Sequence, residues 1–410
     1  MQLTKKIIAI ALVLIMILSF AACGKKEEAA PSTGGNTSTG TKTDAGTFQL
    51  EGVTYSYADF PKSDLVIAKL NGDSMNAWRS AMMKAWEDCC TEMKAAGLIK
   101  DFYTYNVNGN EEMIAAFNDC INKGVNVICA QASGAVYGPI VQTCLDQGIK
   151  VVNSGDAGIP ELMCKDFVAL NGDNDEYMRG PVEYMCSAMG YEGKIIHLYG
   201  LEGGWDGGEI RKEAVREVIG KYPKMEIIHG EPCTWSNSQA NAAMATLLSA
   251  YGDELGGNKV GVVGEDVGLG VLQAYQAAGV EFPVLLGDYT IGFMREWAKN
   301  PDLISVCNCS AADYTYTFAH VAYLMGIGRE FDEEACKDLR GNKWNIVTPM
   351  PCVVVKEYNE NDEWIKNLLP TTEVRLLDDV LKWADENNLS DNDCILGHQS
   401  LAEVAETYFK

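Results

Sequence analysis

The chain has 410 residues, 47% of them hydrophobic and 22% charged, with a formal net charge of −24. That size and composition suit a globular protein with room for two lobes of ordinary domain size. The acidic balance argues against partners held through phosphates, DNA or an anionic lipid surface, because both are bound by an excess of Lys and Arg.

In chain order, Lys5-Lys6 precede an unbroken apolar run from Ile7 to Leu18, and Phe20-Ala21-Ala22-Cys23-Gly24 follows. A charged head, an apolar centre and a small-residue cleavage site read as a secretory signal over residues 1–22. From Lys25 to about Gly46 the sequence is KKEEAAPSTGGNTSTGTKTDAG. With almost no large apolar side chain it cannot offset the entropy of ordering, so 23–47 reads as a flexible linker. No later stretch offers eighteen consecutive apolar residues, so no membrane-spanning helix is expected after the signal.

Beyond the linker, short β-branched runs alternate with helical patterns, the signature of parallel α/β layers. Leu65–Ala68 reads as a strand, Ala77–Met93 as a helix, Asp101–Val107 as a strand and Asn110–Lys123 as a helix stopped by Gly124. Val125–Ala130 (strand), Gly138–Gln147 (helix) and Ile149–Val152 (strand) complete one doubly wound half. The rhythm then repeats. Val168–Leu170 is followed by helices at Asp175–Met189, Glu209–Lys221, Asn237–Tyr251 and Gly268–Ala278, alternating with strands at Lys194–Tyr199, Met225–Gly230, Lys259–Val263 and Pro283–Gly287. Two such units predict two α/β lobes facing each other across a cleft lined by strand-end loops. Leu376–Asn388 and Leu401–Phe409 read as helices of a C-terminal extension, 359–410.

The thirteen cysteines other than Cys23 are an odd number for an exported protein, where disulfides are expected. Cys129, Cys144, Cys307 and Cys309 lie in apolar or alternating surroundings, and the set is read as mostly free, buried thiols. No Cys/His spacing fits a zinc site, so neither a metal nor any other cofactor is expected. The chain has no GxSxG, HExxH, Walker A or GxGxxG pattern, and an enzyme is not expected.

Two resemblances follow from these residues. The signal and its cysteine resemble the lipobox of a bacterial lipoprotein, with Phe20 where leucine is more usual. The resemblance implies cleavage after Ala22, diacylation of Cys23 and a lipid-anchored protein on the extracytoplasmic face of the cell membrane, in a Gram-positive organism. From about Asp64 to Glu357 the chain resembles the type I periplasmic binding proteins of the ribose/galactose-binding family. The matching passages are Ala68–Ala85, Asn110–Val152, Lys194–Pro223, Thr234–Leu248, Gly264–Tyr275 and Asn345–Lys356. Together they span about seven-tenths of the chain, many weak positions in one order without a diagnostic motif.

That second resemblance implies two doubly wound α/β lobes joined by a three-crossing hinge, with the ligand in the interlobe cleft. It places crossings near Asn171–Asp173, Cys309-Ser310 and Trp344-Asn345, giving lobe 1 as 62–171 plus 310–344 and lobe 2 as 172–309 plus 345–358. It implies a monomeric receptor that hands a small carbohydrate, a monosaccharide or polyol, to the permease and ATPase of an ABC importer. A sugar-sensing receptor for a chemotaxis or two-component system, or a binding protein for a non-sugar solute such as a nucleoside, are the alternatives. Nucleic acid is not an expected partner.

Sugars present hydroxyls and weakly apolar C–H faces, so a tight site needs amides, carboxylates and aromatic rings. In the first loop, Asp73, Asn76 and Trp78 are candidates; Asn76 could instead cap a helix and Trp78 fill the core. Gln131 ends the third strand. Asp156 falls one position past the family aspartate. Trp205, in the loop Gly200–Gly208, could close over a ligand or cover the surface. Trp235 matches a family aromatic, and with Trp78 would sandwich a ring from opposite lobes. Glu265, beside Asp266, stands near a family asparagine that Gly264 replaces, with a helix N-terminal charge as its ordinary reading. Asp288 matches the carboxylate of a lobe 2 strand end, where a turn aspartate is the alternative, and Asn308 lies within one residue of a family glutamine. Where the family commonly carries a lobe 2 arginine the match offers Glu209, with Arg211 two residues on, so loss of that donor is expected.

Overall fold

The buried β-branched runs become strands because a parallel strand covered on both faces has no solvent side to alternate with. β1 (Val66–Asn71), β3 (Val127–Ala130), β4 (Lys150–Ser154) and β5 (Phe167–Gly172) are buried over nearly their whole length. In this computed structural model the described residues are 57–72, 77–155, 158–203, 206–308, 314–339, 342–349, 352–369, 372–394 and 398–410. Cys23 and the linker lie outside them.

With β2 (Asp101–Asn106), β11 (Lys337–Leu339) and β12 (Asn342–Thr348), the first four strands form a seven-stranded sheet in the order β11-β12-β5-β4-β3-β1-β2. Its pairs are parallel except β11–β12. Helices α1 (Ala77–Ala95), α2 (Gly109–Asn122) and α3 (Gly138–Asp146) connect its strands. The second sheet contains β6 (Glu192–Tyr199), β7 (Lys224–Pro232), β8 (Val260–Gly264), β9 (Val284–Gly287), β10 (Ser305–Asn308), β13 (Cys352–Val355) and β14 (Glu373–Leu376). Its order is β14-β13-β10-β9-β8-β6-β7, with β13 antiparallel to β10. Helices α4 (Asn174–Ala188), α5 (Asp206–Gly220), α6 (Asn237–Tyr251), α7 (Gly268–Ala278) and α8 (Ile291–Lys299) belong to this lobe, while α9 (Thr315–Gly326) returns to the first sheet.

Both sheets wind alike, outward in one direction and then the other, so the strand order reverses between β1 and β3 and again between β6 and β8. A crevice opens at the carboxyl ends of the strands where the order reverses. Packing fixes these ends closely. A Cβ on Gly287, the last residue of β9, would lie 2.0 Å from the Phe293 ring, so α8 presses on a backbone that only glycine permits. Trp86, Phe117, Tyr177, Tyr275, Trp297 and Phe318 are fully buried; burial of a phenylalanine-sized side chain contributes roughly 1.5–3 kcal/mol.

The chain passes between the lobes after Gly172, between Asn308 and Thr315, and between Thr348 and Cys352. The last passage corrects the expected position near Trp344-Asn345. Asn345 pairs with Ala169, and β12 stays beside β5 as far as Thr348 opposite Gly172. The Asp173 amide donates to the Thr348 carbonyl at 3.0 Å and Asn171 Nδ2 to Asn345 Oδ1 at 3.1 Å, so the first and third passages run side by side. Cys309-Ser310 lie outside the described residues. The C-terminal extension is not helical alone. After α10 (Glu363–Lys366) it adds β14 to the edge of the second sheet, pairing with β13, before α11 (Leu377–Glu386) and α12 (Leu401–Tyr408).

Cys90, Cys129, Cys144, Cys186 and Cys307 are buried free thiols. Burial pushes the Cys129 and Cys144 thiols up to about 12, which keeps them protonated and unreactive. No helix among the described residues is long and apolar enough to cross a membrane.

Candidate functional site

On lobe 1 the site begins where β1 runs out. Asn71 is buried; its Nδ2 donates to Asn106 Oδ1 at the end of β2 (3.0 Å), and its Oδ1 accepts from Arg79 Nη1 (3.3 Å). The Arg79 guanidinium stands 5.5 Å from the Trp78 ring centre, and Trp78 lies 5.6 Å from Tyr314 at the start of α9. Tyr314 in turn shares a 2.8 Å hydrogen bond with Ser154, the last residue of β4. Asn153 Oδ1 accepts from the Ala132 amide at 3.0 Å, which fixes the loop after β3. In that loop Gln131 Oε1 is buried without a hydrogen-bond partner among the described residues. An orphaned buried acceptor costs about 1–3 kcal/mol and points to a donor supplied from outside the chain.

Lobe 2 contributes a denser charged group. Arg211, on α5, donates from Nε to Asn174 Oδ1 at 2.9 Å, and its guanidinium covers the Tyr177 ring at 4.0 Å. Arg211 Nη1 is 3.8 Å from Glu265 and 3.9 Å from Asp266, so one cation serves two adjacent carboxylates. The Tyr177 hydroxyl donates to Asp266. Glu265 accepts the Gly200 amide at 3.1 Å, while its other oxygen faces His197 Nε2 at 3.4 Å, and neither of those two atoms has a hydrogen bond among the described residues. Burial pushes the Asp266 carboxyl up to about 7, restrained by Arg211 and the Tyr177 hydroxyl. For Arg211 burial works against the charge, but Tyr177, Glu265 and Asp266 together hold its pKa above the ordinary value.

Asp288 follows β9. Thr290 donates to it from both its amide (2.9 Å) and its hydroxyl, and burial still raises its pKa. Asn308, at the end of β10, donates from Nδ2 to the Tyr177 carbonyl at 3.3 Å and leaves Oδ1 buried without a hydrogen-bond partner among the described residues. Trp235 follows β7 with Thr234 and itself at φ of 48° and 52°. A left-handed non-glycine residue costs about 1–2 kcal/mol; here the ring is seated against Gly200, where a Cβ would fall 2.2 Å from it. Between the lobes, Met82 and Met83 of α1 pack with Tyr289 and Cys394, and Trp78 and Tyr314 lie against this cluster.

The structure thus places Trp78 and Gln131 on the lobe 1 rim, Trp235, Glu265 and Asp288 just after strand ends of lobe 2, and Asn308 as the last residue of β10. Asp73, Asn76, Asp156 and Trp205 lie outside the described residues. Two expectations change. Glu265 turns inward onto Gly200 and His197, leaving Asp266 as the carboxylate beside Tyr177. The lobe 2 arginine is not lost: Arg211 occupies the middle of the charged group, whereas Glu209 pairs with Lys212 at 2.7 Å. Sequence reasoning also missed Arg79, next to Trp78, and Tyr177 and Tyr314, each near a helix start. Among the described residues no cluster of three or more His, Cys, Asp or Glu could hold a metal ion.

Two doubly wound lobes, each reversing its strand order once and carrying aromatic, amide and charged side chains at the strand ends, have the type I periplasmic binding protein fold. The chain belongs to the periplasmic binding protein domain family, whose profile matches residues 67–330. It is 30% identical over 164 residues to the xylitol-binding protein of Mycolicibacterium smegmatis, covering 39% of this chain and 44% of that one. It is 24% identical over 158 residues to the D-apiose import binding protein of Paraburkholderia graminis, covering 36% and 50%. The chain therefore spans about half the length of these curated relatives. Among solved structures, an ABC transporter periplasmic solute-binding protein from Actinobacillus succinogenes with bound D-allose superposes with a TM-score of 0.57. That pair shares 17% identity over 70% of this chain and 95% of the other.

Proposed function

We infer that this protein captures a small carbohydrate or polyol between its lobes and delivers it to an ABC importer. The single observation that carries the reading is the pairing of an aromatic and amide rim (Trp78, Asn71, Gln131) with a carboxylate and arginine rim (Asp266, Asp288, Arg211) at two equivalent switch points. Gln131 Oε1 and Asn308 Oδ1, buried without a partner among the described residues, suit hydroxyl donors, and the Trp78 and Trp235 rings suit C–H faces. Arg211 is already neutralised by Glu265 and Asp266, which favours a neutral ligand over an acidic one. The names of the relatives, a xylitol-binding protein and a D-apiose import binding protein, support the same class.

A ligand touching both rims binds the closed form better than the open one, and that difference drives closure. Lipid on Cys23 would hold the protein at the extracytoplasmic membrane face while the linker lets it reach a permease. A thermal-shift screen tests the ligand class. A ligand at 100 times its Kd adds about 2.7 kcal/mol of stability, so a true sugar or polyol raises Tm by several degrees. No response to any sugar or polyol, with a response to nucleosides or amino acids, overturns the reading. For the anchor, fatty-acid labelling that persists in Cys23→Ser would remove the proposed lipidation.

A further inference from the structure

We propose that residues 373–410 form a fourth connection between the lobes, a tether that limits opening and positions the aromatic wall of the cleft. The segment is docked on lobe 2 first. β14 extends the second sheet, and α11 lies against α8, where Arg295 reaches Asp385 (2.8 Å), Asp391 (2.6 Å) and the Leu389 carbonyl (3.0 Å). The amides of Ile291 and Gly292 donate to the carbonyls of Asp393 (2.9 Å) and Asp391 (3.0 Å), and Thr290 bridges Cys394. A Cβ on Gly292 would meet the Asp391 carbonyl at 2.8 Å, so the first turn of α8 carries a glycine where the extension lies on it.

Four residues later the same chain is docked on lobe 1. His398 stacks on Tyr316 at 3.9 Å, and the Gln399 carbonyl is 3.1 Å from His320 Nδ1. A capping box of Ser400 and Glu403 starts α12. That helix buries Leu401, Val404 and Tyr408 in the lobe 1 core, and the terminal Lys410 amide donates to Glu330.

Cys394 and His398 are separated by residues 395–397, which lie outside the described residues. Four Cα-to-Cα steps span at most about 14 Å however the chain runs. Cys394 and His398 therefore cannot separate further than that without undocking one end, and through their contacts with Thr290 and Tyr316 this bounds how far the start of α8 on lobe 2 can part from the start of α9 on lobe 1. An element that served only stability could be satisfied on one lobe; this one divides its anchors between two. Its inner residue, Cys394, is packed with Met82, Met83 and Tyr289 against Trp78, so movement of the tether is felt at the ring proposed to face ligand. The significance of the tether rests on the two-lobed receptor reading, but its existence is measurable without ligand.

The test inserts about ten Gly/Ser residues after Leu396 in the full-length protein. Fluorescent dyes on non-natural amino acids at exposed Glu111 (lobe 1) and Lys224 (lobe 2) report the interlobe distance by energy transfer. Expected is a longer and broader distance in the ligand-free insertion variant than in wild type, with a larger radius of gyration in X-ray scattering, and a several-fold weaker Kd because the closed state is rarer. A specific protease site at the same position, cut after folding, serves if the insertion variant does not fold. Identical ligand-free distances with and without an intact tether overturn the proposal. A changed distance with no sugar or polyol bound leaves the tether standing and removes the carbohydrate reading instead.

Discussion

Asp266→Asn separates two effects of one carboxyl group that act in opposite directions. Asp266 sits at φ 57° after β8, accepts the Tyr177 hydroxyl, and lies 3.9 Å from Arg211. Burial raises its pKa from 3.8 to about 7. Between those values the folded protein holds a proton that the unfolded chain has released, so folding stability falls as pH rises through that window and levels off above it. At about 1.4 kcal/mol per pKa unit, moving from pH 5 to pH 8 costs wild type roughly 3 kcal/mol through this group alone. Asparagine keeps an oxygen for Tyr177 but cannot ionise, and the variant loses that slope. Denaturant titrations of both proteins at pH 5, 6, 7 and 8 measure the difference directly. Asp266→Asn should gain on wild type by roughly 3 kcal/mol between pH 5 and pH 8. Ligand binding should move the other way. A hydrogen bond to a charged acceptor contributes about 1.5–3 kcal/mol, so affinity at pH 8 should drop roughly ten- to hundredfold, and less at pH 5 where the wild-type carboxyl is protonated. Parallel stability profiles would refute the burial argument, and an affinity untouched at pH 8 would remove Asp266 from the site.

Other consequences follow from single contacts. Lys69 is fully buried with its ammonium 4.2 Å from the Phe318 ring, no hydrogen-bond partner among the described residues, and a pKa lowered by burial from 10.5 to about 8. Its ionised form is penalised in the folded state below about pH 8, a penalty relieved as pH rises towards 10.5. Lys69→Met should therefore stabilise the protein at pH 7 by about 2–3 kcal/mol in urea melts, a gain that shrinks by pH 10. Gly287→Ala drives a methyl into Phe293 and should cost about 1–3 kcal/mol or more, read as a lower denaturation midpoint. Gly200→Ala should displace the Trp235 ring, weakening ligand roughly tenfold with a much smaller change in Tm than Gly287→Ala, and altering tryptophan fluorescence. Trp78→Ala should weaken binding by about 2 kcal/mol or more in calorimetry; an unchanged affinity would leave Trp78 as core packing.

The layered fold was legible because its signals are local. Val125–Ala130 and Lys259–Val263 are short β-branched runs set between longer helical patterns, which reads as covered strands, and repeating the pattern repeats the lobe. Residues that end strands, such as Gln131, Asp288 and Asn308, inherit their place from that pattern, which is why they could be picked out as candidates. Direction on a helix does not follow from such a pattern. At 3.6 residues per turn, a two-residue displacement turns a side chain by about 200°, and that is the difference between Glu209, paired outward with Lys212, and Arg211, aimed at Glu265 and Asp266. The third crossing shifted for a related reason: nothing within Asn345–Thr348 distinguishes a strand leaving a sheet from one still paired in it, and only the partner residues Ala169–Gly172 decide. The C-terminal extension was least legible of all. Its role depends on contacts between residues far apart in the chain, Thr290 with Cys394 and Tyr316 with His398, and a helical pattern at either end says only that a helix forms. Hence two amphipathic helices of unknown purpose in the sequence become, once their anchors are placed, a link whose length bounds the motion of the lobes.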